Sequence, residues 1–214
     1  MQAAGGTIWT EHSPSVTVGE EGQLATKTSG GKYSTVFGGQ QLTAGVHYIE
    51  VEVGGNMNSF FVGIARPGLD TADGKSYHET MNAWFMDANH GTLFGNGKYE
   101  DDVAGRFEAG DRIGLLLDLD NHSLLFFKNG EKHGPGYGAG SVTGPVVLAM
   151  QMGWEGSSGR VVAGAVRPSG YEGPEAVLGA AGKEEQLAPS TVETVRARTV
   201  FVACAGAVVV VRAL

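Results

Sequence analysis

Apolar and polar residues alternate one by one between positions 47 and 53, and this alternation limits the possible folds more than any other feature of the chain. Ile49, Val51 and Val53 share one face of the segment, and the residues between them share the other. A period of two is typical of a β-strand with one buried face, whereas a helix would repeat every 3.6 residues. The segment is therefore predicted to be a half-buried strand.

The sequence predicts two β-hairpins, one within residues 47–65 and one within residues 111–128. The apolar run 60–65 follows the turn formers Gly54-Gly55-Asn56, which indicates a hairpin with the strand at 47–53 and a deeper second strand. The segment 111–128 alternates, turns through residues 118–122 rich in Asp and Asn, and returns. Asn129-Gly130 then suits the positive φ angles of a type I′ turn. Two hairpins in tandem predict an antiparallel meander.

The rest of the chain up to residue 168 also reads as short strands separated by glycine. The 35 glycines show no fixed period and fall between short apolar runs, as turns fall between strands. No ten-residue window before position 166 has helical periodicity, which predicts an all-β domain. Further strands are predicted at 7–10, 24–27, 34–37, 83–86, 146–152 and 160–165.

After Pro168 the composition changes to Ala, Gly, Pro, Glu and Val. This change predicts a β-domain over residues 1–168 and an irregular linker or tail over 169–214. The apolar stretch 199–211 is shorter than the roughly 20 residues of a bilayer-spanning helix, and a membrane anchor is disfavoured.

Charge and cysteine content limit the partners and the compartment. The net charge is -8, and residues 1–165 carry the whole excess, with 18 acidic against 10 basic side chains. A nucleic-acid-binding domain normally has the opposite sign, and anionic membranes would repel this one. The single cysteine, Cys204, cannot form an internal disulfide, and no secretory signal opens the sequence. These features predict an intracellular, cytoplasmic protein.

Several sequence blocks follow one another along the chain, at residues 45–52, 62–65, 83–87, 110–118, 123–130 and 145–150. In this order the blocks resemble the SPRY domain family. The resemblance covers roughly residues 20 to 166, so a chance match is improbable although each block is loose. It implies a bent sandwich of two antiparallel sheets, similar to concanavalin A, that acts as a non-catalytic module for protein–protein interaction, as an adaptor or substrate-recruiting domain.

Binding residues are expected in the loops between these blocks, at one edge of the sandwich. Tyr, Trp and Arg dominate binding energy at interfaces, and each loop residue of these types is a candidate for contact with a protein or peptide. Arg66 is the preferred single residue, because it follows an apolar strand at a loop entrance. Trp84 and Phe126, which lie within family blocks, are predicted to be core. The candidates are Arg66, Pro67, Tyr77, Tyr99, Tyr137 and Trp154.

Other functions find weaker support in the residues. Glu50 and Glu52 share a strand face about 7 Å apart, as glycosidase carboxylates can, but solvated outer-face glutamates explain them better. The turn at 118–122 lacks the Gly and Glu of a calcium-binding EF-hand loop. The chain is therefore expected to be no enzyme and to need no metal or cofactor. A lectin-like sandwich that binds glycans is the alternative, since aromatic side chains stack on sugars as well as on peptides.

Overall fold

The computed structural model describes residues 7–171, and these residues form an almost purely β structure. Within residues 7–171 the only helical segments are two three-residue 3-10 turns, at Glu20–Gly22 and Tyr77–Glu79. The predicted all-β class is confirmed. The strands are β1 (Trp9–His12), β2 (Val16–Gly19), β3 (Leu24–Lys27), β4 (Ser34–Gly38), β5 (Val46–Gly54), β6 (Phe60–Ala65), β7 (Ala83–Asp87), β8 (Leu93–Gly95), β9 (Lys98–Glu100), β10 (Arg112–Asp118), β11 (Ser123–Lys128), β12 (Glu131–Lys132), β13 (Val147–Met152) and β14 (Ser158–Val161).

The strands form two seven-stranded antiparallel sheets. The first sheet has the order β1-β4-β13-β6-β7-β8-β9, and the second has the order β12-β11-β10-β5-β14-β3-β2. The main hydrophobic core lies between them and is built from alternate residues of the strands, including Val51 and Val53 of β5 and Val62 and Ile64 of β6. The predicted sandwich of two antiparallel sheets is confirmed.

Trp84 and Phe126 are both fully buried in this core, as predicted. The indole N–H of Trp84 donates a hydrogen bond to the carbonyl oxygen of Ser141 at 2.8 Å, so the polar atom of this buried side chain has a partner. The family block around Trp84 therefore contributes to stability.

The hairpin predicted between residues 47–53 and 60–65 is wrong. β5 lies in the second sheet between β10 and β14, whereas β6 lies in the first sheet between β13 and β7. The turn between them carries the chain from one sheet to the other. A β-carbon on Gly55, whose φ is +76°, would lie 1.9 Å from the carbonyl oxygen of Gly156, so this crossing requires glycine.

The second predicted hairpin is confirmed, with Asp118 of β10 opposite Ser123 of β11. Asp118 Oδ1 accepts hydrogen bonds from the backbone N–H groups of Asp120 and Asn121, at 3.0 and 2.8 Å. This is the Asx-type turn that the sequence favours over a calcium loop. Asn129 and Gly130 both have positive φ, as a type I′ turn requires.

The outer face of the first sheet is covered by the segment between β6 and β7. Tyr77 from this segment packs with outward-facing residues of the sheet, among them Phe37, Phe61, Phe85 and Ala149, in a second hydrophobic cluster. β6 is therefore buried on both faces, which explains why Phe60–Ala65 is apolar throughout instead of alternating.

Other expectations have mixed outcomes. Glu50 is buried, not solvated, and accepts a hydrogen bond from the Tyr48 hydroxyl at 2.8 Å. The strands β2, β8, β9 and β12 were not predicted; each has four residues or fewer. No helix within residues 7–171 is long and apolar enough to cross a membrane. The predicted tail beyond residue 171, with its apolar stretch and Cys204, lies outside the described residues.

Candidate functional site

Tyr137 is part of the core, and the expectation that it offers a loop surface to a partner is wrong. Its side chain is 1% exposed. The hydroxyl donates to the carbonyl oxygens of Phe94 at 2.7 Å and Phe85 at 3.2 Å, which belong to the first sheet. An isolated β-bridge between Tyr137 and Leu124 joins the same residue to the second sheet. Tyr137 therefore ties the two sheets together.

Replacing Tyr137 with phenylalanine should lower the free energy of unfolding by about 1–2 kcal/mol. The reason is that the carbonyl oxygens of Phe85 and Phe94 would lose the hydroxyl that donates to them. Chemical denaturation of the full chain measures this change. Ligand binding by the folded variant should not change. A stability equal to wild type would contradict the tying role of the hydroxyl.

Tyr77 is also buried, at 8% exposure, between the segment that covers the first sheet and the sheet itself. Its hydroxyl donates to the carbonyl oxygen of Asp70 at 2.6 Å, and its ring packs against Phe37 with centroids 6.0 Å apart. Burial raises the pKa of the Tyr77 hydroxyl. The side chain holds the covering segment on the first sheet, so the expectation that it contacts a partner directly is corrected.

Arg66 and Pro67 lie at the opposite end of the first sheet from Trp154. In the β6–β13 pairing Ala65 faces Val147 and Phe60 faces Met152, so the strand ends are roughly 17 Å apart. The Arg66 guanidinium donates to the carbonyl and hydroxyl oxygens of Thr143, and lies over the Trp84 ring at 5.1 Å. The structure thus does not bring all the candidates to one edge. A partner-binding role for Arg66 stays a prediction.

Trp154 stands in a groove of about 530 Å³, which we call the tryptophan groove. The Trp154 side chain is 52% exposed. The groove is formed by the loops before β4, before β6 and after β13, together with the segment that covers the first sheet. Three of its lining residues are glycines, which leave backbone accessible between the larger side chains. It is lined by Gly31, Lys32, Tyr33, Ser59, Asp73, Gly74, Gly153 and Trp154.

A polar network lies at the base of the tryptophan groove. Lys27 is 1% exposed, and its ammonium donates to Ser34 Oγ, to the Lys32 carbonyl oxygen at 2.8 Å and to Ser15 Oγ at 3.5 Å. Ser15 and Ser34 in turn donate to Asp73 Oδ1, at 2.5 and 2.9 Å. The serine hydroxyls therefore connect a buried cation to a carboxylate at the groove surface.

The network shifts the pKa values of both charged groups. Burial raises the pKa of Asp73, but the hydrogen bonds from Ser15 and Ser34 and the nearby Lys27 charge outweigh it, so the pKa lies below its ordinary value. Burial lowers the pKa of Lys27. Asp73 is consequently an ionised carboxylate at neutral pH.

A second groove, of about 420 Å³, lies beside Tyr99, and we call it the tyrosine groove. Tyr99 is on β9 and is 63% exposed. The groove is lined by His78, Glu79, Phe94, Gly95, Gly97, Lys98 and Tyr99.

A row of aromatic rings joins the two grooves across the outer face of the first sheet. Tyr33 contacts His78, His78 contacts Phe94, and Phe94 contacts Tyr99, with centroid distances of 4.8, 5.5 and 4.9 Å. His78 is buried, stacks on Phe61 at 4.2 Å and is hydrogen-bonded through Nδ1 to Gln151 Oε1. The row is therefore fixed by packing, and the two exposed candidates Trp154 and Tyr99 border one rigid surface.

Sequence reasoning missed Tyr33 and Asp73, which line the tryptophan groove. Asp73-Gly74 has the composition of a turn, and this was its only local signal. Lys27 gave a second signal, because it shares with Ala25 the inward-facing positions of the short strand β3. Neither signal indicates that the two residues meet. Within residues 7–171 no group of three or more His, Cys, Asp or Glu side chains is placed to hold a metal ion.

The structure is an antiparallel β-sandwich with a groove between its loops, an arrangement in which a scaffold of strands positions the loops. The family model for the SPRY domain matches residues 46–165, and the chain belongs to the SPRY family. The resemblance noted from the sequence blocks is confirmed. SPRY domains are in general protein-interaction modules and are not a catalytic family.

Solved structures share the fold at low sequence identity. The SPRY domain of human HERC1 superposes with a TM-score of 0.60 at 20% identity, covering 71% of this chain and 94% of that chain. The TRIM65 PSpry domain gives 0.58 at 15% identity, covering 73% and 88%. A further human SPRY domain gives 0.56 at 20% identity, covering 71% and 97%. At these identities the likeness establishes the fold alone.

Proposed function

We propose that the protein is a non-catalytic interaction module that binds an extended segment of a partner protein through the tryptophan groove. The observation that carries this proposal is the half-exposed Trp154 in a groove of about 530 Å³ on a rigid frame. Tryptophan is among the residue types that dominate binding energy at interfaces, especially where it lines a groove on a rigid frame. The interaction involves no chemical turnover and could recruit the partner as an adaptor does.

The aromatic row supports an extended ligand. A peptide anchored at Trp154 would run along the aromatic row, over the segment that covers the first sheet, toward Tyr99, the other exposed aromatic candidate. Tyr33 and Phe94 are held by neighbouring rings and need little ordering on binding, which favours affinity. We place the interaction in a reducing, intracellular compartment, since the one cysteine cannot form an internal disulfide.

The proposal is tested by panning a phage library of random 12-residue peptides against the full chain. Selected peptides are synthesised, and their dissociation constants are measured by isothermal titration calorimetry. Trp154→Ala should weaken binding by about thirtyfold, which corresponds to about 2 kcal/mol for a residue at the centre of an interface. Tyr99→Ala should weaken, by a smaller factor, the binding of those peptides that also reach the tyrosine groove.

Val166→Ala is the matched control, because Val166 is a strongly exposed apolar residue that lines neither groove. It should leave the affinity unchanged. Circular dichroism and thermal unfolding must show that all variants fold. If selected peptides bind Trp154→Ala as tightly as wild type, the tryptophan groove is not the binding site.

A further inference from the structure

Asp73 presents to the tryptophan groove a carboxylate oxygen, Oδ2, that has no side-chain donor among residues 7–171. Oδ1 is occupied by hydrogen bonds from the buried Ser15 and Ser34 hydroxyls, at 2.5 and 2.9 Å. Asp73 also accepts a backbone hydrogen bond from Ser15, but no side chain of residues 7–171 donates to Oδ2, and Asp73 lines the groove. A carboxylate held by one oxygen offers the other in a defined direction to a ligand.

Aromatic faces stand beside this carboxylate. Trp154 and Tyr33 line the same groove, and Tyr33 is held by edge contacts with His78 at 4.8 Å and Phe61 at 6.1 Å. Aromatic rings next to a carboxylate suit a cation, because the ring faces attract positive charge and the carboxylate accepts its hydrogen bonds. A planar guanidinium can stack on an aromatic ring and at the same time donate a charge-assisted hydrogen bond in its own plane to a single carboxylate oxygen, which a compact ammonium cannot do.

The charge of the domain favours a basic ligand as well. Residues 1–165 carry 18 acidic and 10 basic side chains, a difference of -8. Six of those basic residues are engaged in ion pairs with acidic neighbours: Lys75, Lys98, Arg106, Arg112, Lys128 and Arg160. The remaining field is therefore negative and would steer a basic segment toward the surface.

Among the described residues, Lys32 is the one positive side chain that lines the groove, and it is exposed. It makes no ion pair within the described part of the chain. Its charge opposes a cationic ligand and would favour an anionic one. Removing the charge of Lys32 and removing the charge of Asp73 should therefore change the affinity in opposite directions. The direction of each change identifies the charge of the ligand.

We propose that the tryptophan groove recognises an arginine side chain of a partner protein, stacked between Trp154 and Tyr33 and hydrogen-bonded to Asp73 Oδ2. This inference rests on the proposed function and adds the chemistry of the ligand. The anchor is an arginine in an extended, net basic segment, and Asp73 selects it.

The test begins with the 12-residue peptides selected on the full chain. Peptides whose binding depends on Trp154 should be enriched in arginine at one position. Replacing that arginine with citrulline, which has the same shape without the charge, should weaken binding about tenfold. Asp73→Asn should weaken the arginine peptide by a similar factor and should leave the citrulline peptide nearly unchanged. Lys32→Gln should strengthen the arginine peptide severalfold.

Each possible result decides between the two proposals. Trp154-dependent peptides without arginine enrichment, or equal affinity of the arginine and citrulline forms, would overturn the arginine assignment and leave the proposed function standing. Weaker binding in Lys32→Gln together with tighter binding in Asp73→Asn would show an acidic ligand and also overturn it. If no peptide depends on Trp154, the proposed function itself fails. Lys32 is exposed, so its variant keeps the test valid even if Asp73→Asn is unstable.

Discussion

Trp84→Ala is expected to lower the free energy of unfolding by about 3–5 kcal/mol, the range for removing a large aromatic side chain from a packed core. Trp84 is 0% exposed, and its inner-face position on β7 fills space between the two sheets. The substitution also removes the hydrogen bond to the Ser141 carbonyl oxygen and the ring beneath Arg66. Urea denaturation of the full chain measures the loss.

Trp154→Ala is the matched comparison, since it deletes the same side chain at an exposed site. Its effect on stability should stay within about 0.5 kcal/mol, as for surface substitutions in general. Trp84→Ala should therefore lose stability, whereas Trp154→Ala should keep its stability and lose affinity for the ligand. A large loss of stability in Trp154→Ala would show that this side chain supports the fold, and the case for a binding role would weaken accordingly.

Tryptophan fluorescence offers a second readout of the same difference. The chain has three tryptophans, and Trp9 and Trp84 are buried while Trp154 is exposed. Removing Trp154 should shift the emission maximum of the folded protein to shorter wavelength, because the remaining indoles are shielded from water. Ligand binding should quench or shift the emission of wild type and should leave Trp154→Ala unaffected.

Local patterns predicted the strands well but not which strands pair. Residues 47–53 and 60–65 are strands in the structure, yet the turn between them connects two sheets and does not close a hairpin. A glycine-rich turn is compatible with both paths, and the choice depends on what covers each face. β6 is apolar on both faces because the covering segment and the core bury it, and the sequence of β6 alone does not show which strands are its neighbours.

The candidate site could be predicted only in part, for a related reason. Residue type identified Trp154 and Tyr99, which are exposed, but the same criterion included Tyr137 and Tyr77, which are buried. The stretch around Tyr137 is rich in glycine and reads as a flexible loop, whereas its bridge to Leu124 draws it into the sandwich. Burial of a loop aromatic depends on contacts distant in sequence, and no local pattern reports them.

Asp73 and Lys27 illustrate the same limit for polar residues. They are 46 positions apart, and they approach each other because β3 lies near the start of β4 while the covering segment returns across the first sheet. The inward-facing lysine was visible in the pattern of β3, but its partner was not. A groove assembled from four separate loops is thus a property of the tertiary fold.

Lys27→Met is expected to lower the free energy of unfolding by about 3 kcal/mol, since removing one member of a buried charged network leaves the other groups uncompensated. The methionine fills a similar volume, so the loss reports the hydrogen bonds to Ser15, Ser34 and the Lys32 carbonyl more than a cavity. Urea denaturation measures it, with the exposed Lys132→Met as the matched control. The double variant Lys27→Met/Asp73→Asn should lose less than the sum of the two single changes, because each single change already breaks the network.

The pH dependence of stability should identify Asp73 as the acid-sensitive member of this network. The pKa of Asp73 is held below its ordinary value of 3.8, so the folded state favours the carboxylate. Its contribution is present above that ordinary pKa and is lost as the pH falls through the lower pKa of the folded protein. Urea midpoints measured between pH 2 and pH 7 should therefore fall more steeply below pH 4 in wild type than in Asp73→Asn. In Lys27→Met the fall should be smaller and should end at higher pH, because the loss of the nearby positive charge brings the folded-state pKa of Asp73 closer to its ordinary value. Identical pH profiles for wild type and Asp73→Asn would show that the ionisation of Asp73 is not linked to folding. That result would contradict the description of Asp73 as a carboxylate fixed by this network.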